Sequence, residues 1–378
     1  MSLREALARL VPRELRAEGI RGRYSTLLLV SASHAAGHGY LALMPLIYPF
    51  LMVELDLSYS QLGLVLAVTG IVGALFQFVF GVLGRYFLRK FLIGFGLALM
   101  SVSVGLLSLV TNFGQFIAYS LLRTVGSSPQ HPNGNSLLLD SFGKKHYGRV
   151  IAWHFAGANL GAVLLPPLGG ALIIAFGWKF TLLLAALPGL LISLPVFMLI
   201  REKKDTGKDA GTVLPPTVMQ ELGKIVKNRR LMLAMLAQTM AAGGKGVGVI
   251  MTFVPLYLAR DMGISIVHVG GLLSVMLLGS VLGPIFLGHL SDRWGKRKPL
   301  ILTVYICSTF LVLLFAATAK YAFVLPITLF LIGNLVYAQS PLLQSMIADL
   351  TPADYSKDMV FGFFFAISYT LGALWAAF

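Results

Sequence analysis

Cysteine is nearly absent from this sequence, and acidic residues are scarce. The single cysteine, Cys307, sits inside an apolar run. No disulfide, Cys-x-x-Cys pair or thiolate metal site can therefore form within the chain, and Cys307 reads as packing filler. Charged residues of every kind make up only 12% of the 378 residues. Soluble domains carry about 25%, because water must be offered a polar surface. With half that share, most of the surface must face something other than water. Long hydrophilic stretches are also lacking. The longest connection, 201–230, is too short for a folded domain, although Met219–Val226 can form a surface helix. The segment Met1–Arg23 has neither the apolar core nor the small-residue cleavage site of a signal peptide. Its six arginines alternate with Leu and Ala, which fits a basic amphipathic helix on the membrane surface or a disordered tail. No His-Glu-x-x-His, Gly-x-Ser-x-Gly or phosphate-binding glycine loop occurs. An enzyme is not expected, nor are a cofactor, a resident metal or a sensor's output domain.

What is abundant is apolar sequence. Hydrophobic residues make up 57% of the chain and the mean hydropathy is +0.82. A membrane-spanning helix needs about 20 mostly apolar residues. Eleven runs qualify: Tyr24–Val53, Leu62–Leu83, Phe91–Val110, Phe113–Leu139, Val150–Phe176, Phe180–Ile200, Leu231–Leu258, Val267–Leu287, Leu300–Ala319, Tyr321–Met346 and Met359–Phe378. The predicted fold is all-α and embedded in a lipid bilayer. Connections such as Thr111-Asn112 and Lys320 are so short that neighbouring spans must be antiparallel.

The net charge of +15 would suggest nucleic acid in a soluble protein, but position decides against that. Of the 30 Lys and Arg residues, 25 lie in the tail and in alternate connections. Only Lys179, Arg260 and Lys320 lie in the others, and Arg123 and Lys245 fall within spans. By the positive-inside rule the amino terminus and central loop are cytoplasmic, in a plasma membrane. The chain divides into a tail (1–23), a first bundle of six spans (24–200), a central loop (201–230) and a second bundle (231–378).

The turn after the second span, Gly81-Val-Leu-Gly-Arg-Tyr-Phe-Leu-Arg-Lys90, has a counterpart after the eighth, Gly288-His-Leu-Ser-Asp-Arg-Trp-Gly-Lys-Arg-Lys298. Such a repeat is expected of a carrier built from two six-helix bundles. Gly288 allows close helix approach, and Asp292 can cap a helix start or pair with a base. The second copy resembles the signature turn of the major facilitator superfamily. That resemblance implies two pseudo-symmetric six-helix bundles, with Gly288, Asp292, Arg293, Gly295 and Arg297 in a gating turn. The first copy departs from the pattern, with Arg85 where an acid usually stands and Leu88 where glycine does, so an acid-dependent latch is expected to be missing there. Gly157, Gly161 and Pro166-Pro-Leu-Gly-Gly170 partly match the superfamily's antiporter motif, a pattern that plain helix packing also produces. Ser33-His34 with Pro45, Gly126-Ser-Ser-Pro-Gln-His-Pro132, Lys245 and Val336-Tyr-Ala-Gln339 look like the fosmidomycin-resistance branch, which comprises drug effluxers. His38 departs from it, standing where that branch often has an acid. The superfamily has twelve spans, so a twelfth is expected to be missing from this stretch.

Ionisable groups at mid-membrane are costly and are the default functional candidates. All 15 acids fall in the tail, in loops or at span ends, such as Asp140 and Asp349, so no buried carboxylate is expected. The intramembrane set is His34, His38, Arg123, His131, His154 and Lys245. Lys245 is about 20 Å from either surface and Arg123 roughly 15 Å deep, by helix rise. One such base in each half suggests an anionic substrate between the bundles, with Arg supplying a fork and Lys a point charge. The bland alternative has them bonding carbonyls freed by Pro129 and Gly243-Gly244. His34 and His38 share one helix face. They can exchange protons near neutral pH, hold a metal ion with His131, or simply make an interhelix contact. His154 reads as structural. Gln77, Asn133, Asn159, Asn334, Tyr337 and Gln339 can line a cavity or join helices. The expected function is secondary transport of a small organic solute by alternating access, as proton-coupled drug or anion efflux, with proton-independent anion uptake or exchange as the alternative. A monomer is expected.

Overall fold

The computed structural model describes residues 20–202, 217–242, 250, 254, 257–258, 262–264, 266–318, 321 and 323–374. Among them the ordered elements are helices, as a chain in lipid requires, since only internal hydrogen bonds can satisfy its backbone there. In the first half these are α1 (Ile20–Glu54), α2 (Tyr59–Leu83), α3 (Arg89–Leu106), α4 (Phe113–Ser127), α5 (Gln130–Ser141), α6 (Tyr147–Phe176) and α7 (Trp178–Leu199). A short α8 (Val218–Lys227) follows in the central loop. The second half has α9 (Arg229–Ala242), α10 (Ile266–Trp294), α11 (Arg297–Thr318), α12 (Val324–Leu350) and α13 (Lys357–Leu374). Eight of the described helices are long and apolar enough to cross a membrane.

The apolar runs set where helices occur, and polar residues set where they stop. Ser58 starts α2 with a reciprocal cap: the Gln61 N–H donates to its hydroxyl at 3.1 Å, and its own N–H donates to the Gln61 side chain at 2.8 Å. Asn112 caps α4, its side chain accepting from the Gln115 N–H at 3.0 Å. The fourth apolar run is broken. Residues 128–129 interrupt it, giving α4 and α5 rather than one span from 113 to 139. Pro129 and Pro132 each lack the N–H that a continuous helix would use.

Buried side chains form separate clusters. Tyr40, Leu43, Met44, Ile47, Val104, Leu107, Phe116 and Leu182 bind α1, α3, α4 and α7 together. Another cluster joins the halves, packing Leu139, Tyr147 and Ile151 against Ile347, Met359, Val360 and Phe364. Ile225 of α8 is buried in that cluster, so the expected surface helix is clamped under its apolar side. Cys307 is exposed on the outside of α11. The expectation of packing filler is thus corrected: its face of α11 meets the surroundings, in company with exposed Ile306 and Phe310.

Candidate functional site

Four histidines from three helices meet inside the first half. His34 and His38 are one turn apart on α1, with ring centroids 4.5 Å apart. His131, in the first turn of α5, lies 4.8 Å from His34, and His154 of α6 stacks on His34 at 4.3 Å. Small residues make this approach possible. A Cβ on Gly161 of α6 would run into the backbone of Ala35, and one on Gly157 would sit 3.1 Å from Ser31. Polar bonds then fix the register of α5 on α1: Ser33 donates to the Gln130 side chain at 2.8 Å, and Gln130 donates to the Val30 carbonyl at 2.9 Å. His34, His131 and His154 are buried, while His38 is partly exposed. Neither ring nitrogen of His34 has a hydrogen-bond partner; the His154 backbone approaches it without completing a bond. His131 also stacks on Phe365 of α13 at 4.7 Å, which ties the cluster to the second half.

Arg123 is the other candidate centre. Its side chain in α4 is buried at 7% exposure, with Nε unpaired. Among the described residues no carboxylate pairs with it. Tyr48 of α1 is close enough to interact with it electrostatically. Gln77 of α2 is buried with its Oε1 unpaired. The remaining sequence candidates lie elsewhere. Gln339 donates to Ser308 at 2.8 Å, joining α12 to α11. Tyr337 is half-buried against the cluster of Val254, Met276 and Phe315. Asn334 bonds the carbonyl of Phe330 on its own helix. Asn159 donates to the Ser280 carbonyl at 2.7 Å and so joins α6 to α10. Lys245 lies outside the described residues.

The two repeated turns each grip a helix start in the opposite half. Asp292 accepts from the backbone N–H groups of Gly148 at 2.8 Å and Arg149 at 2.7 Å, and Arg297 donates to it at 3.1 Å. It therefore caps the start of α6 and pairs with a base, the two roles open to it from sequence. Gly288 and Gly148 pack so closely that a Cβ on Gly148 would be 2.9 Å from the Gly288 carbonyl. In the first half the polarity is reversed. Asp358, in the first turn of α13, accepts from Arg89 at 3.0 Å and from Asn133 at 3.0 Å. Arg89 also reaches Asp140 at 2.6 Å, and Lys357 pairs with the same carboxylate. Arg85 pairs with Glu221 of α8 at 2.9 Å, and Glu221 in turn accepts from the Ser356 N–H. Deeper in, Asn135 donates to Gln344 at 2.6 Å. These bonds lie between the face bearing the basic turns and the level of Asn159.

Two expectations are corrected here. A carboxylate was not expected to be buried, yet Glu221 and Asp358 are each 2% exposed and the Asp292 side chain 2%. They stand at helix ends, but segments distant in the chain cover them: Arg89 and Asn133 of the first half cover Asp358, α6 covers Asp292, and Arg85 and Ser356 enclose Glu221. The first-half turn was expected to lack an acid-dependent latch, whereas the acid arrives from α13. His154, read as structural, packs its ring on His34 within the histidine cluster. A signal for it existed: His154, Gly157 and Gly161 fall on one helical stripe, the stripe that faces α1.

The paired turns and the glycine-lined contacts between halves have a counterpart in a known family. The sequence profile of the Major Facilitator Superfamily matches residues 27–377. The chain belongs to that superfamily. The fosmidomycin resistance protein of Escherichia coli (strain K12) is 24% identical over 374 residues, 94% of this chain and 86% of that protein. A probable L-galactonate transporter of the same strain is also 24% identical, but its match spans 68% of this chain and only 60% of its own length. Among solved structures, an Escherichia coli fucose:proton symporter superposes with a TM-score of 0.73 at 16% identity, covering 93% of this chain and 90% of that one. At that identity the likeness speaks for the fold. As a superfamily member the protein is a multi-pass membrane transporter of small molecules and not an enzyme.

Proposed function

We propose that this transporter moves a small organic anion by alternating access, and that Arg123 holds the anion between the halves. The carrying observation is a buried guanidinium with an unpaired Nε and no carboxylate partner among the described residues. A buried charge left unpaired is costly, and a planar fork of donors is matched by a carboxylate, phosphate or phosphonate. The name of the L-galactonate relative points the same way. Lys245, read from the sequence as the second base, is not needed for this reading.

The latches support the alternating part. With both turns gripping the opposite half, the path is closed at the face that bears the basic turns. That face is cytoplasmic by the charge bias of the loops, so the conformation opens outward. Efflux driven by protons is the favoured mode, resting on the fosmidomycin-resistance resemblance. Proton-independent anion uptake or exchange is the second reading.

Proteoliposomes test both parts. Arg123→Gln should raise the KM for an organic anion by about ten- to a hundred-fold, the loss of a charge-assisted hydrogen bond, and Arg123→Lys should recover part of it. Unchanged anion transport in Arg123→Gln removes the anchor. If a pH gradient neither drives transport nor is dissipated by substrate, proton coupling is wrong and the second reading stands.

A further inference from the structure

We propose that His34, His38 and His131 form a binding site for a divalent transition-metal ion such as Zn2+ or Co2+, with His154 supporting the His34 ring. This site is separate from the Arg123 anchor and does not depend on it. Its three candidate ligand atoms all lie within 4.8 Å of one another. Three imidazole nitrogens bound at about 2.1 Å to one ion stand roughly 3.4 Å apart, so ring rotation has up to about 1.4 Å to close. The rings come from two helices whose register is fixed by the Ser33–Gln130 and Gln130–Val30 bonds. The supporting residue is held too, since His154 Nδ1 faces the Ser31 hydroxyl at 3.5 Å.

The His34 ring supplies the second, independent observation. It is 1% exposed and neither nitrogen has a hydrogen-bond partner. A neutral imidazole carries one N–H donor and one lone pair, and burying both unmet is unfavourable. A metal ion takes up the lone pair. The donor set selects the ion: three imidazoles without a carboxylate suit Zn2+, Co2+, Ni2+ or Cu2+, whereas Ca2+ and Mg2+ require oxygen ligands. Three protein ligands leave a fourth position open, and the partly exposed His38 is the side from which water or an anionic group can enter. Because His131 stacks on Phe365 of α13, a bound ion would also stiffen a contact between the halves.

The test uses the purified full chain in detergent, stripped with a chelator and titrated with Co2+ and with Zn2+. The expected result is one ion per chain, with the ligand-field absorption of a low-coordinate Co2+–imidazole site. His38→Ala and His131→Ala should each weaken binding by at least tenfold, while His289→Ala, on the exposed side of α10, should leave it unchanged. Thermal unfolding of each stripped variant shows whether the fold survives. Should either variant unfold, His38→Gln and His131→Gln replace it. No stoichiometric binding by the parent protein overturns the proposal, and so does equal binding by a folded variant carrying both His38→Ala and His131→Ala. Either of those results returns His34 and His38 to the proton-carrying role read from their spacing.

Discussion

Arg89 and Asp358 are 269 residues apart in sequence, and the Arg89 Nε donates to the Asp358 carboxylate at 3.0 Å. The pair joins the turn after α2 to the first turn of α13, with side-chain exposures of 18% and 3%. Breaking a buried pair by removing one partner costs about 3–5 kcal/mol. Asp358→Asn keeps an acceptor for Asn133 but loses the charge, so the halves should separate more often at this face. Spin labels on the turn after α2 and at the start of α13 should show a longer distance population. Arg89→Asp combined with Asp358→Arg should restore part of the closed population. Unchanged distances in Asp358→Asn would show that the pair does not hold the halves together.

Asp292 makes the equivalent grip in the other half, through backbone N–H groups rather than a side chain. A carboxylate at a partly buried helix start stabilises by up to about 2 kcal/mol. Asp292→Asn should therefore weaken closure less than Asp358→Asn does. The same label experiment, placed on α6 and the turn after α10, measures the ranking, and the reverse order would refute it.

Gly161 decides how near α6 comes to α1. A Cβ there would strike the Ala35 backbone, whereas a Cβ on Gly170, nine residues on, meets nothing within 4 Å. Overpacking a tight contact typically costs about 1–3 kcal/mol. Gly161→Ala should lower the unfolding temperature in detergent and loosen the histidine cluster, and Gly170→Ala should do neither. Equal behaviour of the two variants would mean that the helices can shift apart freely.

Glu202, beyond the end of α7, gives a pH dependence. Burial raises its carboxyl above the ordinary range; the Lys90 backbone N–H at 3.1 Å and Arg89 at 3.7 Å pull it down without prevailing. A carboxyl that holds its proton more tightly when folded adds stability that is complete below the unfolded carboxylate range. That stability is lost as pH rises through the raised value. Glu202→Gln should flatten the corresponding fall in unfolding temperature from acid towards neutral pH. An unaltered slope would assign the dependence to other groups.

Much of the helix content was legible in the sequence, because the bilayer demands long apolar runs and those runs are unmistakable. Helix ends were legible to within a few residues for the runs after Leu62 and Phe180. The break at residues 128–129 was only half-signalled. Pro129 and Pro132 marked a kink, but whether a span bends or stops there depends on what packs beside it. The site was legible in parts. Spacing placed His34 and His38 on one face, and depth singled out Arg123. The residue types offered His131 as a third metal ligand, and the glycine stripe beside His154 was a signal, but the meeting of the four rings arises from contact between helices far apart in the chain.

The acids show the same division. Sequence alone determined that the chain is a helical membrane carrier in two related halves, with its carboxylates in the tail, in loops and at span ends. It did so because hydropathy and charge placement answer directly to the lipid around each segment. Only the tertiary structure decided which helix start each turn grips. It thereby made Asp358 supply the acid that the turn at Arg85 lacks, and it brought four imidazoles into one cluster. Those outcomes rest on close approach at Gly84, Gly148 and Gly161, where the absence of a side chain matters only once the opposing helix is in place.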